Sequence, residues 1–285
     1  MAEVHAGRLI NPKTLMQNPS LLNSDDVLVL INTCEKYKKK ATAISKTWGK
    51  RLKSFHYITD YDTNDLPNVV NLKVSEYDQL TLKCFHMWKF VHEKYGTSKK
   101  WILKIDDDCY LWIENMLTAL SCYDHRQSWY FGNRLHCSQN KEKDGKDLNW
   151  VPGPAYFLSQ KCFEELIKIL STESGANAYL CHKAEDISLG QTLSSNTIFP
   201  VHLPGVFAAR KIKALHSMPT PIAMTGMTPS LLRVFDLFWS SNNKMIIKMG
   251  LFLYRFHRKI FLFLEKRNPS LAKHYLKFLN QRMGF

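Results

Sequence analysis

The sequence lacks the usual marks of a chain built for a secretory lumen. Prolines follow Asn18 and Asn268, so no N-x-S/T glycosylation site is present. The seven cysteines include no C-x-x-C pair, which excludes a zinc ribbon and a small disulfide scaffold. The first 24 residues contain no apolar run suited to a signal peptide or an anchor helix. These absences favour a chain located in the cytoplasm.

Acidic residues are scarce in the C-terminal part of the chain. The formal net charge is +14, and from Lys244 onward ten Lys and Arg stand against one acid, Glu265. That segment therefore supplies +9 of the total. The remaining body is only mildly basic, which argues against a nucleic-acid partner.

The basic residues of this tail recur at intervals of three, four and seven, which is helical spacing. Apolar residues such as Phe252, Phe256 and Phe263 cover much of the remaining surface. This pattern predicts a basic amphipathic helix that either lies on an anionic membrane surface or packs on the body with its charges in solvent. A transmembrane span is excluded because charges interrupt every apolar run.

In the first half of the chain, short apolar runs alternate with segments of helical spacing. This alternation predicts an α/β fold with a Rossmann-like, mostly parallel sheet. We expect a polar lead-in over 1–24, a single catalytic domain over 25–219, and a linker with the basic helical tail over 220–285. The predicted elements are strands at Val27–Thr33, Phe55–Thr59, Val69–Val74, Trp101–Ile105 and Trp129–Gly132, and helices at Lys36–Arg51, Leu80–Tyr95, Leu111–Leu120, Lys161–Leu170 and Lys183–Leu193.

Three consecutive acids, Asp106, Asp107 and Asp108, follow the buried strand that begins at Trp101. Ligands of parallel sheets bind at the carboxyl ends of the strands. Carboxylates there could hold Mg²⁺ or Mn²⁺, and the cation could bridge a nucleotide diphosphate. The alternative is a solvated turn in which Asp108 caps the helix that follows.

Five motifs in order resemble the Fringe and β1,3-galactosyltransferase family (glycosyltransferase family 31, which includes the core 1 galactosyltransferases). The match spans roughly residues 27–219, almost the whole predicted catalytic domain. The motifs are TWGKR at Thr47–Arg51, LTLK at Leu80–Lys83 with KIDDD at Lys104–Asp108, GPAYFLS at Gly153–Ser159, AEDISLG at Ala184–Gly190 and LHSMP at Leu215–Pro219.

The resemblance implies a GT-A fold, with a nucleotide-sugar half to about residue 110 and an acceptor half to 219. It also implies inverting transfer of a hexose or N-acetylhexosamine from a UDP-sugar to a hydroxyl of a glycan, glycolipid or glycoprotein, with β1,3 as the family habit. The expected cofactor is Mn²⁺ or Mg²⁺. Asp108 is the expected direct metal ligand, with Asp106 and His216 completing the protein ligands.

Inversion in one displacement needs a base that takes the proton of the attacking acceptor hydroxyl. Asp186 in AEDISLG is the candidate, and Glu185 beside it would cap the helix or orient the acceptor. A single displacement uses no covalent nucleophile, so the lack of a Ser/His/Asp or Cys/His set is expected.

Further side chains are candidates for the nucleotide and sugar pockets. For Arg51 and Lys83 a structural ion pair is the alternative. Trp150 and Tyr156 could stack on a sugar, with core packing as the alternative for Tyr156. The nucleotide candidates, by motif position or by place after a strand, are Asp106, Asp107, Arg51, Lys83 and Asp60.

The sequence departs from the family pattern at two places. Pro152-Gly153-Pro154 replaces a glycine-rich turn, which bears on the identity of the sugar, and Leu52 stands where lumenal relatives have a cysteine. Together with the basic tail, these departures predict a peripheral enzyme at the cytoplasmic membrane face; a Golgi enzyme without its anchor is the alternative. Two rival functions stay open, a metal-dependent phosphoryl-transfer enzyme and an inactive membrane-surface binding protein.

Overall fold

A computed structural model describes residues 22–74, 76–133, 149–207 and 222–239, together with Ser270. The predicted ligand His216 and almost all of the predicted basic tail lie outside these ranges. In the part of the chain that the structure describes, no helix has the length and apolar character needed to cross a membrane.

Seven strands form the central sheet, in the order β3-β2-β1-β4-β7-β6-β8. Neighbours run parallel except at β7, which is antiparallel to both β4 and β6. The predicted α/β fold with a mostly parallel sheet is confirmed. The strands are β1 (Val27–Asn32), β2 (Phe55–Thr59), β3 (Val69–Asn71), β4 (Trp101–Asp106), β6 (Tyr130–Gly132), β7 (Ala155–Ser159) and β8 (Pro200–His202).

Helices cover both faces of this sheet. Gln79 interrupts the helical backbone of α2, so the regular helix begins at Leu80, as its apolar spacing predicts. Short 3-10 helices flank α1. The α-helices are α1 (Lys38–Lys46), α2 (Glu76–Tyr95), α3 (Ile113–Ser121), α4 (Gln160–Leu170), α5 (Glu173–Leu180), α6 (Glu185–Ser194) and α7 (Pro229–Trp239).

The central strands are buried on both faces because alternate side chains point to opposite sides of a strand. Val29 and Leu103 face one apolar cluster, which includes side chains of α1, α3 and α7. Leu30 and Ile102 face a second cluster, built with α2, α4, α5 and α6. The sheet is therefore packed between two apolar cores. Packing on both faces fixes the register of the strands and hence the positions of their ends.

One edge of the sheet collects the ends that carry polar side chains. Asn32 pairs in register with Asp106, so β1 and β4 end together. Since β7 runs the other way, its first residue, Ala155, lies opposite Ile105 at this same edge. The turn that contains Gly153 is thereby brought beside the aspartate triplet, although it lies far away in sequence.

A small second sheet contains the segment that directly follows the triplet. β5 (Tyr110–Leu111) pairs antiparallel with β10 (Ala223–Met224), which pairs parallel with β9 (Val206–Phe207). β10 and α7 both lie beyond residue 219, the predicted end of the catalytic domain, and both pack on the body. The first residues of the expected linker and tail are thus part of the folded domain.

The alternative in which Asp108 caps the following helix is wrong. α3 begins at Ile113 with Trp112 as its N-terminal flanking residue, and the two residues of β5 separate it from the triplet. The carboxylate of Asp108 instead accepts a hydrogen bond from Thr225 Oγ1 (2.8 Å). The triplet is therefore not explained by helix capping.

Gly190 lets α6 approach the chain segment that leads to the Gly153 turn. A Cβ atom at this position would lie 2.2 Å from the Cβ of Trp150 and 2.6 Å from the carbonyl oxygen of Asn149. Both distances are far below van der Waals contact, and one of the opposing atoms belongs to the backbone. The side chain of any other residue would therefore push α6 away from this segment.

We predict that Gly190→Ala destabilises the protein by about 1–3 kcal/mol through overpacking. Helix propensity alone would favour alanine by about 1 kcal/mol, so the sign of the change separates the two effects. Urea unfolding measures the free energy difference. Gln191→Ala, at the exposed next position of the same helix, is the control and should stay within about 0.5 kcal/mol of wild type. A Gly190→Ala protein as stable as wild type would contradict the packing account.

Candidate active site

The three aspartates of the triplet differ in exposure and in partners. The side chains of Asp106 and Asp108 are 33% and 29% exposed, whereas that of Asp107 is 6% exposed. Asp107 accepts a hydrogen bond from Thr33 Oγ1 (2.7 Å). Asp107 therefore fixes the loop after β1, and the outer two carboxylates face solvent at the sheet edge.

The site attracts positive charge in the structure itself. The ammonium of Lys40, on α1, lies 3.7 Å from Asp107 Oδ1 and 3.8 Å from Asp108 Oδ2. Carboxylate oxygens at such a point are the ligands that Mg²⁺ and Mn²⁺ prefer. No group of three or more His, Cys, Asp or Glu side chains placed to hold a metal occurs within the described ranges. The described residues therefore offer two partly exposed carboxylates, Asp106 and Asp108, as oxygen ligands, and the metal ligands expected from the sequence stay predictions.

Asp186 lies at the start of α6, where the sheet edge meets the acceptor half. Its Oδ2 accepts a hydrogen bond from the Gly153 N–H (2.9 Å), and its Oδ1 accepts one from the Ile187 N–H (2.9 Å). These two bonds fix the orientation of the carboxylate. Each oxygen keeps a second lone pair, and the residue is partly exposed.

Glu185 is buried, and both of its carboxylate oxygens have partners inside the protein. Its Oε1 accepts from the Lys104 ammonium (2.7 Å) and its Oε2 from the Tyr156 hydroxyl (2.8 Å). Burial raises the pKa of Glu185 to about 7, and the charge of Lys104 opposes that rise. The carboxylate also makes no capping bond that the structure shows at the head of α6. The capping role suggested by the sequence is therefore corrected to membership of a buried hydrogen-bonded network, and the suggested role in orienting the acceptor stays a prediction.

Lys104 joins the two acidic segments. Its ammonium donates to Asp106 Oδ1 (2.6 Å), to the Gly153 carbonyl (2.8 Å) and to Glu185 Oε1. Burial alone would lower its pKa, but the carboxylates of Asp106 and Glu185 raise the pKa of Lys104 well above its usual value. The triplet and the Glu185-Asp186 pair are thus parts of one hydrogen-bonded cluster.

The other sequence candidates lie at several places. Lys83 is buried and its ammonium donates to the Thr33 carbonyl (2.5 Å), at the end of β1. Asp60 follows β2 at the same edge and accepts from the Glu35 N–H (3.0 Å). Both positions are compatible with the nucleotide side and stay predictions.

Arg51 lies in the structural ion pair that the sequence left open as its alternative. Its guanidinium is 3.4 Å from Asp236 Oδ1 on α7 and 3.2 Å from the Tyr110 hydroxyl. These contacts attach α7 to the body. Tyr156 is fully buried against Trp88, so core packing describes its ring, and Trp150 is half-buried beside α6.

Sequence reasoning missed three side chains of this cluster, Lys104, Lys40 and Thr225. A signal for Lys104 was present, because a lone lysine inside an otherwise apolar strand must find buried partners. Thr225 gave no signal, since its segment reads as a linker.

Comparison with known proteins agrees with this architecture. The profile of a family described as Fringe-like matches residues 22–210, about two thirds of the chain. The chain belongs to the Fringe-like family. Membership agrees with the GT-A type of fold expected from the sequence. The matched region includes the aspartate triplet and Asp186, whereas β10 and α7 lie beyond it.

Several characterised relatives of this Fringe-like protein are similar over part of their length. A human beta-1,3-glucosyltransferase is 26% identical over 66% of this chain and 36% of its own. A Xenopus laevis glycoprotein-N-acetylgalactosamine 3-beta-galactosyltransferase 1 is 29% identical over 34% of this chain and 27% of its own. The beta-1,3-N-acetylglucosaminyltransferase radical fringe of Notophthalmus viridescens is 25% identical over 46% and 37%. The chain thus spans well under half the length of these relatives.

Two solved glycosyltransferase structures resemble this chain at low sequence identity. The glycosyltransferase GlyE of Streptococcus pneumoniae shares 12% identity at a TM-score of 0.43, covering 70% of this chain and 54% of its own. A glycosyltransferase involved in glycosylation of the major capsid of PBCV-1 shares 12% identity at a TM-score of 0.44, covering 72% and 96%.

We predict that Glu185 makes stability depend on pH. Its folded pKa of about 7 lies above the ordinary value of 4.5, so its contribution is full below pH 4.5 and is lost as pH rises through 7. The advantage of wild type over Glu185→Gln should therefore fall by up to roughly 3 kcal/mol between pH 4.5 and pH 8. Urea unfolding of both proteins across this range measures it. A difference that stays flat, or grows with pH, would show that Glu185 is ionised throughout.

Proposed function

We propose that this chain is an inverting glycosyltransferase that moves a hexose or N-acetylhexosamine from a UDP-sugar to a hydroxyl of a glycan acceptor. One observation carries the proposal: the aspartate triplet and Asp186 lie at one sheet edge, joined through Lys104 and Gly153. The relatives described above are β1,3- or 3-β-transferases by name, which supports a β1,3 linkage.

The donor diphosphate is proposed to lie beside Asp106 and Asp108, the two exposed carboxylates. A divalent cation held there, with His216 as a further ligand, would stabilise the negative charge that develops on the diphosphate as the glycosidic bond breaks. Asp107 has a different part, since its bond to Thr33 fixes the loop after β1. Asp60, which follows β2, is the candidate for the uracil or the ribose. Lys83 of α2, whose ammonium reaches the carbonyl of Thr33 after β1, is a candidate for the nucleotide side.

Asp186 is proposed to act as the base on the acceptor side. The acceptor oxygen forms a bond to the anomeric carbon of the sugar, the bond from that carbon to the diphosphate breaks, and UDP leaves with the electron pair. Asp186 takes the proton of the acceptor hydroxyl. Backbone N–H groups hold both of its oxygens, so the carboxylate is oriented before the acceptor binds.

We predict that Asp186→Asn and Asp108→Ala fail in different ways. Asp186→Asn should lose transfer by 100-fold or more, because the base is gone, while UDP still raises the melting temperature in the presence of Mn²⁺. Asp108→Ala should lose the Mn²⁺-dependent part of that shift. The measurements are thermal shift with four UDP-hexoses (galactose, glucose and their N-acetylamino forms) and product formation with the donor that binds.

Glu173→Gln, which changes an exposed acid in the first turn of α5, is the matched control and should behave as wild type in both assays. Transfer by Asp186→Asn near the wild-type rate would remove Asp186 as the base. A wild-type protein that binds no UDP-sugar, with or without Mn²⁺, would contradict the proposed function as a whole and favour an inactive binding protein.

The location of the protein and its membrane contact are also proposals. The basic stripe of the tail supports a peripheral position at the cytoplasmic membrane face, and the Golgi lumen is the alternative. The boundary for a test follows from the fold: α7 ends at Trp239 and packs on the body, so a truncation should spare it.

We predict that a chain ending at Trp239 loses binding to vesicles of anionic phosphatidylserine and keeps the UDP-induced thermal shift. The reason is that ten of the chain's Lys and Arg follow that residue. Sedimentation with vesicles measures binding, and neutral phosphatidylcholine vesicles are the control. Equal binding of full-length and truncated chains to the anionic vesicles would refute the membrane role of the tail.

A further inference from the structure

A lysine lies inside β4, a central strand of the sheet that is buried at every position before Asp106. Lys104 lies in β4 between Leu103 and Ile105, and its side chain is 1% exposed. Placing an ammonium in such surroundings is costly unless every N–H finds an acceptor. The ammonium of Lys104 has three N–H donors and lies near three acceptor oxygens. These belong to Asp106 (2.6 Å), the Gly153 carbonyl (2.8 Å) and Glu185 (2.7 Å).

The three acceptors come from three separate parts of the fold. Asp106 ends the same strand, Gly153 belongs to the turn before β7, and Glu185 opens α6. The first lies on the proposed donor side of the edge, and the last is the neighbour of the proposed base. The ammonium of Lys104 therefore restrains the distance between Asp106, on the proposed donor side, and Glu185, beside the proposed base.

The Gly153 peptide carries this restraint to Asp186. Its carbonyl accepts from Lys104, and its N–H donates to Asp186 Oδ2 (2.9 Å). A second path runs through Glu185, which Lys104 and Tyr156 hold from two directions. The backbone of Gly153 packs closely against Glu185, because a Cβ atom on Gly153 would lie only 2.8 Å from Glu185 Oε1.

We propose that Lys104 is a positioning residue for sugar transfer, which holds the Asp186 carboxylate at a fixed place relative to Asp106 through the Gly153 peptide and Glu185. The inference rests on the proposed function for its kinetic consequence, but its geometric part stands apart from activity. A buried ion pair can often be replaced by apolar side chains at little cost in stability. A role in positioning therefore predicts a loss of rate that exceeds any loss of folded protein.

The test variant is Lys104→Met with Glu185→Gln, which removes the ammonium and the ionisable carboxyl with little change in side-chain length. The matched control, Lys100→Met with Asp26→Asn, makes the same charge change in the ion pair at the amino end of the same strand (3.1 Å). The first readout needs no activity: hydrogen exchange at the Gly153 amide, followed by NMR in the full chain. The amide of Leu103, in the middle of β4, is the internal reference.

We predict that exchange at Gly153 becomes at least tenfold faster in the Lys104/Glu185 variant and is unchanged in the Lys100/Asp26 control. With the donor identified by thermal shift, kcat should fall by about 100-fold, the loss expected from misplacing a reacting group by about 1 Å, and KM for the donor should change less than threefold. A large fall in kcat with a nearly constant KM is not expected if Lys104 contributes only to the stability of the fold.

The outcomes separate the inference from the proposed function. Unchanged Gly153 exchange overturns the positioning role, whether or not the protein transfers sugar. Faster exchange with unchanged kcat per folded molecule also overturns it. A wild type without transfer activity refutes the proposed function, and the exchange result still decides the geometric part.

Gly153→Ala offers a second test if the double variant does not fold. Its methyl group would press on Glu185 Oε1 without removing a charge, so we expect the same separation of a lowered kcat from a nearly constant KM. A folded Gly153→Ala protein with wild-type kcat would count against the inference.

Discussion

The buried ammonium of Lys104 is the interaction on which the site depends. Its charge is balanced by Asp106 and Glu185, which come from opposite halves of the domain. Because β7 runs antiparallel beside β4, the Gly153 turn enters at the edge where β1 and β4 end. Without that reversal, the acids after β4 and those at the head of α6 would have no short connection.

The division of labour among the carboxylates follows from their surroundings. Asp106 and Asp108 stay partly exposed, which suits the proposed cation site, whereas Asp107 accepts a hydrogen bond from Thr33 and is buried. At the start of α6, Glu185 is buried in the network of Lys104. Asp186 accepts hydrogen bonds from the backbone N–H groups of Gly153 and Ile187. Carboxylates that are neighbours in the sequence thus differ in exposure and in hydrogen-bond partners.

Much of the fold and part of the site could be predicted from the sequence. The strand ending at the triplet is a strong local pattern, and its place at a carboxyl edge follows from the parallel arrangement. The partners could not be predicted, since Lys104 reaches residues 49 and 81 positions away, and Thr225 bonds to Asp108 across 117 positions. Such contacts depend on the order of the strands in the sheet and on the two-residue strands β5 and β10. Strands this short leave no periodic pattern in the sequence. The alternative of a helix cap at Asp108 is wrong for this reason, because β5 lies between the triplet and α3.

The most direct test of the account is a crystal structure of the full chain with UDP and Mn²⁺. The account predicts the diphosphate and the ion beside Asp108, in a cleft that Asp186 also lines, with the bonds of Lys104 to Asp106 and Gly153 intact. UDP bound away from the aspartate triplet, or in a cleft from which Asp186 is absent, would contradict it.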